Sequence, residues 1–236
     1  MKEFALKKIP LLGIFVFIFS NLIAMYFYPG GSIYEPNSEG YSFFKNYLSQ
    51  LGRIKAVNGE INSLSSTIWI SGMTISGFSF LIHYIYLPNF FNNKLSYLGS
   101  FFGIISCICF VLTGITPGDI LLSFSHVSDA NFSKEINIYN LHKIFANNIF
   151  YFGLACSSIY SYVIFNSNKI SSIYGLGYYF FCLIVFIYVL ILIYGPNPFS
   201  SEYGLIFQVT AQKIVALSWV LSTFVLSLGI LLTKND

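Results

Sequence analysis

A histidine, serine or carboxylate does chemistry only where partners of the right type stand at the right spacing, and this chain offers few such groups. Asp119, His126 and His142 are permissible ligands for a hydrolytic zinc, whose usual set is three protein ligands and a water. No HExxH, HxxxH or comparable spacing groups them, so no metal and no cofactor is expected, and His126 and His142 read as hydrogen-bonded or solvent-facing loop holders. His83 reads as an interfacial side chain near the end of its apolar segment. Ser49 and His142 can be drawn as nucleophile and base, yet no GxSxG elbow surrounds the serine and no spacing brings an acid to the histidine. Neither a P-loop nor a dinucleotide fingerprint occurs. Cys107, Cys109, Cys156 and Cys182 fall in apolar segments without CxxC or Cys/His spacing, and read as small core residues.

A set of amides and cations is more informative. Gln208 and Gln212 stand four apart on one helical face with Lys213 beside them, an arrangement that lipid disfavours. A lysine at the centre of a membrane helix costs about 2.5 to 3.5 kcal/mol. Lys213 and Lys143 therefore either snorkel to the headgroups along their aliphatic stems or turn inward. Topology brings more polar groups to the same level: Asn46, Ser49 and Arg53, then Asp119, His126, His142, Asn147, Asn148 and Glu202. Facing inward, they would form an outer polar pocket for a lipid headgroup or a small polar solute. Arg53, Lys143 and Lys213 suit a phosphate or carboxylate, with Asp119 or Glu202 to neutralise them.

These residues must be positioned by membrane-spanning helices. The chain has 236 residues, 56% hydrophobic and only 9% charged, with mean hydropathy +0.70. A soluble domain carries about 25% charged residues, so a cytosolic enzyme, a nucleic-acid binder and a disordered tail are excluded. Apolar segments lie near Ile9–Tyr28, Ser63–Leu87, Leu95–Thr116, Leu141–Phe165, Ile173–Tyr194 and Leu205–Leu232. Each is long enough to cross about 30 Å of hydrocarbon as a helix, the form that pairs its own amides. The expected fold is all-α, a single transmembrane domain over residues 1–236 built as a six-helix bundle in the cell membrane.

The formal charge of +3 is too small and scattered for a polybasic arm. Lys2, Lys7, Lys8, Lys94, Lys169 and Lys234 fall on one side, against Lys45, Arg53, Lys55 and Lys134 on the other, which places both termini in the cytoplasm. The long connections then lie outside. In the first, Phe43, Phe44, Tyr47, Leu48, Leu51 and Ile54 recur at helical spacing, so an amphipathic interfacial helix is expected there. Gly72 and Ser76 in the second segment and Gly99 and Gly103 in the third are small residues four apart, expected to bring these two helices into contact. No inverted repeat of the transporter type is seen.

The order Tyr28-Pro29-Gly30-Gly31, Asn46-Tyr47-Leu48-Ser49-Gln50-Leu51-Gly52, Pro117-Gly118-Asp119 and then His142 resembles the prokaryotic six-helix membrane family described as domain of unknown function 998. That family is itself similar to DRAM and FRAG type membrane proteins. The resemblance covers nearly the whole chain. It implies a six-helix bundle with polar residues at its non-cytoplasmic end and, by analogy with eukaryotic relatives, lipid handling. The family's loop motif reads Asn-x-x-Ser-Asp-Leu-Gly, and Gln50 stands where it has the aspartate.

Three readings from different classes follow. The first is a non-enzymatic membrane protein whose outer pocket, built from Asn46, Ser49, Asp119, His142, Gln212 and Lys213, binds a lipid headgroup or a small polar ligand. Its partners would be membrane lipids, with no nucleic acid. The second is an intramembrane metal-dependent lipid hydrolase, loosely like ceramidases. The third is a small-solute transporter, ranked lower because no acidic midplane residue or discontinuous helix pair is evident.

Overall fold

The computed structural model describes residues 2–119, 121–125 and 133–233. Six of its helices are long and apolar enough to cross a membrane, and the chain is a multi-pass membrane protein with an all-helical bundle. A short helix α1 (Lys2–Lys7) runs into α2 (Ile9–Phe27), whose Pro10 sits in the first turn where a missing amide costs nothing. The other spans are α3 (Ser63–Phe91), α4 (Lys94–Ile115), α5 (Ile138–Phe165), α6 (Gly175–Tyr194) and α7 (Glu202–Leu232).

The helix ends follow from local chemistry. Ser201 caps α7 by accepting the Gly204 amide at 3.0 Å, so this helix starts ahead of the apolar stretch at Leu205. Asn93 caps α4 in the same way, through the Ser96 amide at 2.8 Å. α3 continues through Pro88 and stops at Asn92, left-handed with φ 53°, whose amide returns to the Pro88 carbonyl at 2.7 Å.

Each span packs against its neighbours in sequence, and α7 packs back on α2, so the helices close into a ring. The central spans are α3 and α4, each 50% buried, whereas α6 is only 22% buried and turns Phe180, Phe186 and Ile187 outward. Such exposed apolar side chains suit lipid, which is as apolar as they are. Small residues set the close approaches, two of them with partners other than those expected. A Cβ at Gly72 would overlap Ser20 of α2, and one at Gly99 would press on Tyr160 of α5 at 3.0 Å. The α3–α4 contact runs through Gly103, which meets Tyr84 as expected, and also through Gly77 and Gly114, which face Val111 and Met73.

Two features of the connections depart from the sequence pattern. The loop after α2 has its helix only as a 3-10 turn over Leu48–Gly52, because Asn46, Gln50 and Leu51 are buried and the segment folds onto the bundle instead of lying in the interface. Between α4 and α5, strands β1 (Leu121–Ser125) and β2 (Ser133–Asn137) pair antiparallel, Leu121 facing Asn137. His126 and Lys234 lie outside the described residues.

The tight α2–α3 crossing has a direct test. Gly72→Val should destabilise the detergent-solubilised protein by about 1–3 kcal/mol through overpacking, whereas Gly153→Ala should melt like the parent, its new Cβ meeting only Ser106 Oγ at 3.7 Å. Equal melting temperatures for Gly72→Val and the parent would contradict this packing.

Candidate functional site

At one end of the ring, residues 28–62 fold into a lid centred on Asn46, which is fully buried. Its side-chain carbonyl accepts the Ser42 amide at 2.8 Å, and its NH2 donates to Gly31 O at 2.7 Å and to Gln50 Oε1 at 2.9 Å. Gln50 Oε1 also accepts the Tyr47 amide at 3.0 Å, which caps the 3-10 turn. Gly31 is required where it stands: φ is +85°, and a Cβ would overlap the Asn58 amide nitrogen.

Helix α7 grips this lid at consecutive residues. Lys213, 8% exposed, donates from Nζ to the Asn46 carbonyl at 2.7 Å, and Gln212 Oε1 accepts the Leu48 amide at 2.9 Å. The ammonium lies 4.9 Å from the Phe43 ring centre and 5.5 Å from that of Tyr41, so two π faces replace part of its hydration. The same Asn46 carbonyl accepts the Tyr41 hydroxyl at 2.8 Å. Burial raises the Tyr41 phenol above its ordinary value, which keeps it a protonated donor.

Further ties surround this centre. Asp119 accepts the Ile54 amide at 3.1 Å and the Lys55 amide at 2.8 Å, fixing the lid to the exit from α4. Asn62 donates to the carbonyls of Leu51 at 2.9 Å and Arg53 at 2.8 Å, and Gly52 lies against the Trp69 ring, where a Cβ would overlap it. His142 Nδ1 meets the Thr116 carbonyl at 2.7 Å and joins the start of α5 to the end of α4. On the rim Lys45 bridges Glu202 at 2.7 Å and also Glu35. The hydrogen bond to Glu202, then that to Glu35, raises the Lys45 amine above its ordinary value.

Beneath the lid is a cavity of about 90 Å³. Every span contributes to its wall, among them Phe17 and Asn21 of α2, Trp69 and Tyr84 of α3, Ser106 and Phe110 of α4, Ala146 and Cys156 of α5, Val185 of α6 and Trp219 of α7. Leu48 and Ser49 of the lid and Gln212 form part of the lining. Among the described residues no charged side chain lines it. Most of its polar groups are already satisfied: Ser106 donates to Ile149 O at 2.8 Å, Thr113 to Cys109 O at 2.8 Å, and the Tyr84 hydroxyl pairs with that of Tyr178 at 3.1 Å.

The residues expected to form one pocket thus divide by role. Asn46, Gln212 and Lys213 do meet, across the junction of lid and α7. Ser49 and Gln212 line the cavity, while Asp119 and His142 hold backbone at its margin. Lys143 is exposed, Arg53 donates to Lys55 O, and Gln208 braces the α6–α7 turn through the carbonyls of Ile191 and Pro196. His83 is fully buried, not interfacial. Among the described residues no group of three or more His, Cys, Asp or Glu side chains gathers as a metal-ligand set. Asn21 and Trp69 are the lining residues that sequence reasoning missed; the signal for the first was an amide inside an otherwise apolar span. Comparison with protein families, with curated proteins and with solved structures found no match.

If Asn46 organises the lid, Asn46→Leu removes three side-chain hydrogen bonds. At about 1 kcal/mol each, amide exchange across the lid should quicken by about 100-fold, while the far ends of the spans keep parental rates. Unchanged exchange at the Leu48 amide would contradict the assignment.

Proposed function

We propose that this protein is a non-enzymatic lipid-binding membrane protein whose roofed cavity takes up the apolar body of a membrane lipid. The observation that carries this reading is the cavity itself, walled by all six spans and the lid and, among the described residues, without a charged group. Ligand sites are mostly apolar, with few polar groups that fix orientation, and the lining of this cavity has that character. An ionised headgroup inside it would lose its hydration without gaining a countercharge. Of the cations expected to hold such a group, Lys213 is bonded to Asn46, Arg53 donates to the Lys55 carbonyl and Lys143 is exposed, and none of the three lines the cavity. What the site accommodates is therefore the chain of a lipid rather than its charged end.

Kinship with the domain of unknown function 998 family is part of this proposal. It is supported by the roles of the motif residues: Asn46 and Gln50 build the lid, Leu51 is fully buried, and Gly52 lies against Trp69. Gln50 accepts two hydrogen bonds through its amide oxygen, a task open equally to a carboxylate. The orientation proposed from lysine distribution places both termini in the cytoplasm and the lid outside.

The cavity reading is tested with an alkane carrying a terminal diazirine, incorporated into nanodiscs with the protein. Photolabel should be recovered on cavity-facing α5 peptides, and Ala146→Phe, which fills the space, should lower that yield about tenfold while leaving label on the outer face of α6 unchanged. Equal labelling of the cavity peptides in both proteins would refute it. For orientation, a membrane-impermeant maleimide applied to intact cells should modify Asn37→Cys and spare Asn168→Cys, both exposed and at opposite ends of the bundle. The reverse pattern would invert the topology.

A further inference from the structure

Asn21 and Trp69 line the cavity, are 5% and 3% exposed, and each carries a polar atom without a hydrogen-bond partner among the described residues: the Asn21 carbonyl oxygen and the Trp69 indole N–H. The orientation of Asn21 is fixed by its other bond. Its NH2 donates to the Phe17 carbonyl at 2.8 Å, and a carbonyl only accepts, so Oδ1 is the free end. The two residues are close in the fold. Antiparallel α2 and α3 touch where Gly72 meets Ser20; Asn21 follows that serine, and Trp69 lies one turn from that glycine toward the lid. Asn21 is six residues from the end of α2 and Trp69 six from the start of α3. At 1.5 Å per residue both stand roughly 9 Å beneath the lid.

Other buried polar atoms do not share this combination. Ser76, Thr210 and Ser227 also have hydroxyls without partners, but they do not line the cavity. A helical hydroxyl can in addition turn to the carbonyl one turn back. An indole N–H and an amide oxygen already held through its NH2 have no such freedom. Both residues line the same apolar space, and they leave one acceptor and one donor unpaired in its wall.

Resting on the cavity reading above, we infer that the ligand is a neutral lipid with a free hydroxyl, held by donating to Asn21 Oδ1 and accepting from Trp69 Nε1. A hydroxyl satisfies both groups with a single oxygen, since it carries one donor and two acceptor sites. An ester or ether serves only the tryptophan. An ammonium serves only the asparagine and brings a charge to a wall that has none to match it. A phosphate or ionised carboxylate would set an anion against the Asn21 oxygen. The hydroxyl also explains how an otherwise apolar cavity fixes direction: the head is caught below the lid, and the hydrocarbon extends past Phe110, Ala146 and Val185.

The test compares three photoprobes of equal chain length in nanodiscs containing the full-length protein: a fatty alcohol, the corresponding alkane and the corresponding alkyl phosphate, each with a terminal diazirine. Yields on cavity peptides are normalised to those on lipid-facing peptides, which corrects for partitioning. The alcohol should label the cavity about tenfold more than the alkane or the phosphate, the factor expected for hydrogen bonds made inside an apolar site. In Asn21→Leu and in Trp69→Phe the alcohol should fall to the alkane's yield, with the alkane itself unchanged. Equal cavity labelling by alcohol and alkane in the parent protein overturns the hydroxyl assignment while leaving the cavity reading intact. Preferential labelling by the phosphate overturns the assignment to a neutral ligand. Absence of cavity labelling by any probe overturns the cavity reading itself. The parent comparison needs no variant to fold.

Discussion

The bond from the Lys213 ammonium to the Asn46 carbonyl joins the last span to the first loop, and much of the architecture depends on it. A lysine buried to this extent is costly in a membrane unless its hydration is replaced. Here the replacement comes from a backbone carbonyl and two aromatic faces, all supplied by the lid. The lid in turn has its buried asparagine, its glycine turn and its 3-10 helix organised around that same carbonyl-bearing residue. Lid and lysine are therefore mutually dependent: neither can be buried alone without leaving polar groups unpaired.

Closure of the ring follows the same constraint at larger scale. Because α7 packs on α2 and reaches the loop that follows α2, the polar contacts at the lid act on the two helices most distant in sequence. Short connections join helix pairs at the opposite end, where Lys169 also bonds to the Phe90 carbonyl at 2.7 Å. The six helices thus enclose space instead of collapsing onto one another. Bulky rings tie the helices together across the bundle, such as Trp219 of α7 with its centroid 4.8 Å from Phe80 of α3 and 4.9 Å, edge-on, from Phe110 of α4.

The spans were legible because hydropathy acts over some twenty residues and a helix is the form that satisfies its backbone in lipid. The inward face of Gln208, Gln212 and Lys213 was legible for a related reason, since lipid rejects a stripe of amides. Their partners were not. Lys213 and Gln212 bond to main-chain atoms of Asn46 and Leu48, and a backbone carbonyl or amide has the same spelling at every position. The interfacial helix expected over the first loop failed because period alone does not distinguish a helix lying in lipid from a turn whose apolar residues face a bundle. Gly72 and Gly99 were correctly marked as contact points, yet which neighbour each meets depends on the rotation of its helix, which packing decides. Asn21 was hidden by its setting, one amide among phenylalanines, although such a residue in a span always requires an explanation.

Polarity in this protein is best sorted by saturation and not by residue type. At the lid Asp119, Lys213, Gln212 and Asn62 each bond to backbone, where they close the end of the ring. Within the cavity Ser106, Thr113 and Tyr84 look like binding groups in sequence, but their hydrogen bonds are made inside the protein, so to a ligand they are close to apolar. A satisfied hydroxyl stabilises helix packing and gains little from a guest, whereas an unpaired buried donor or acceptor favours any guest that completes it. The lid strengthens this distinction by covering the site, because the attraction between complementary polar groups grows as water is excluded from around them. A chain with little chemistry at its reactive residue types can still discriminate sharply among lipids, through the few polar atoms that its own fold leaves unpaired.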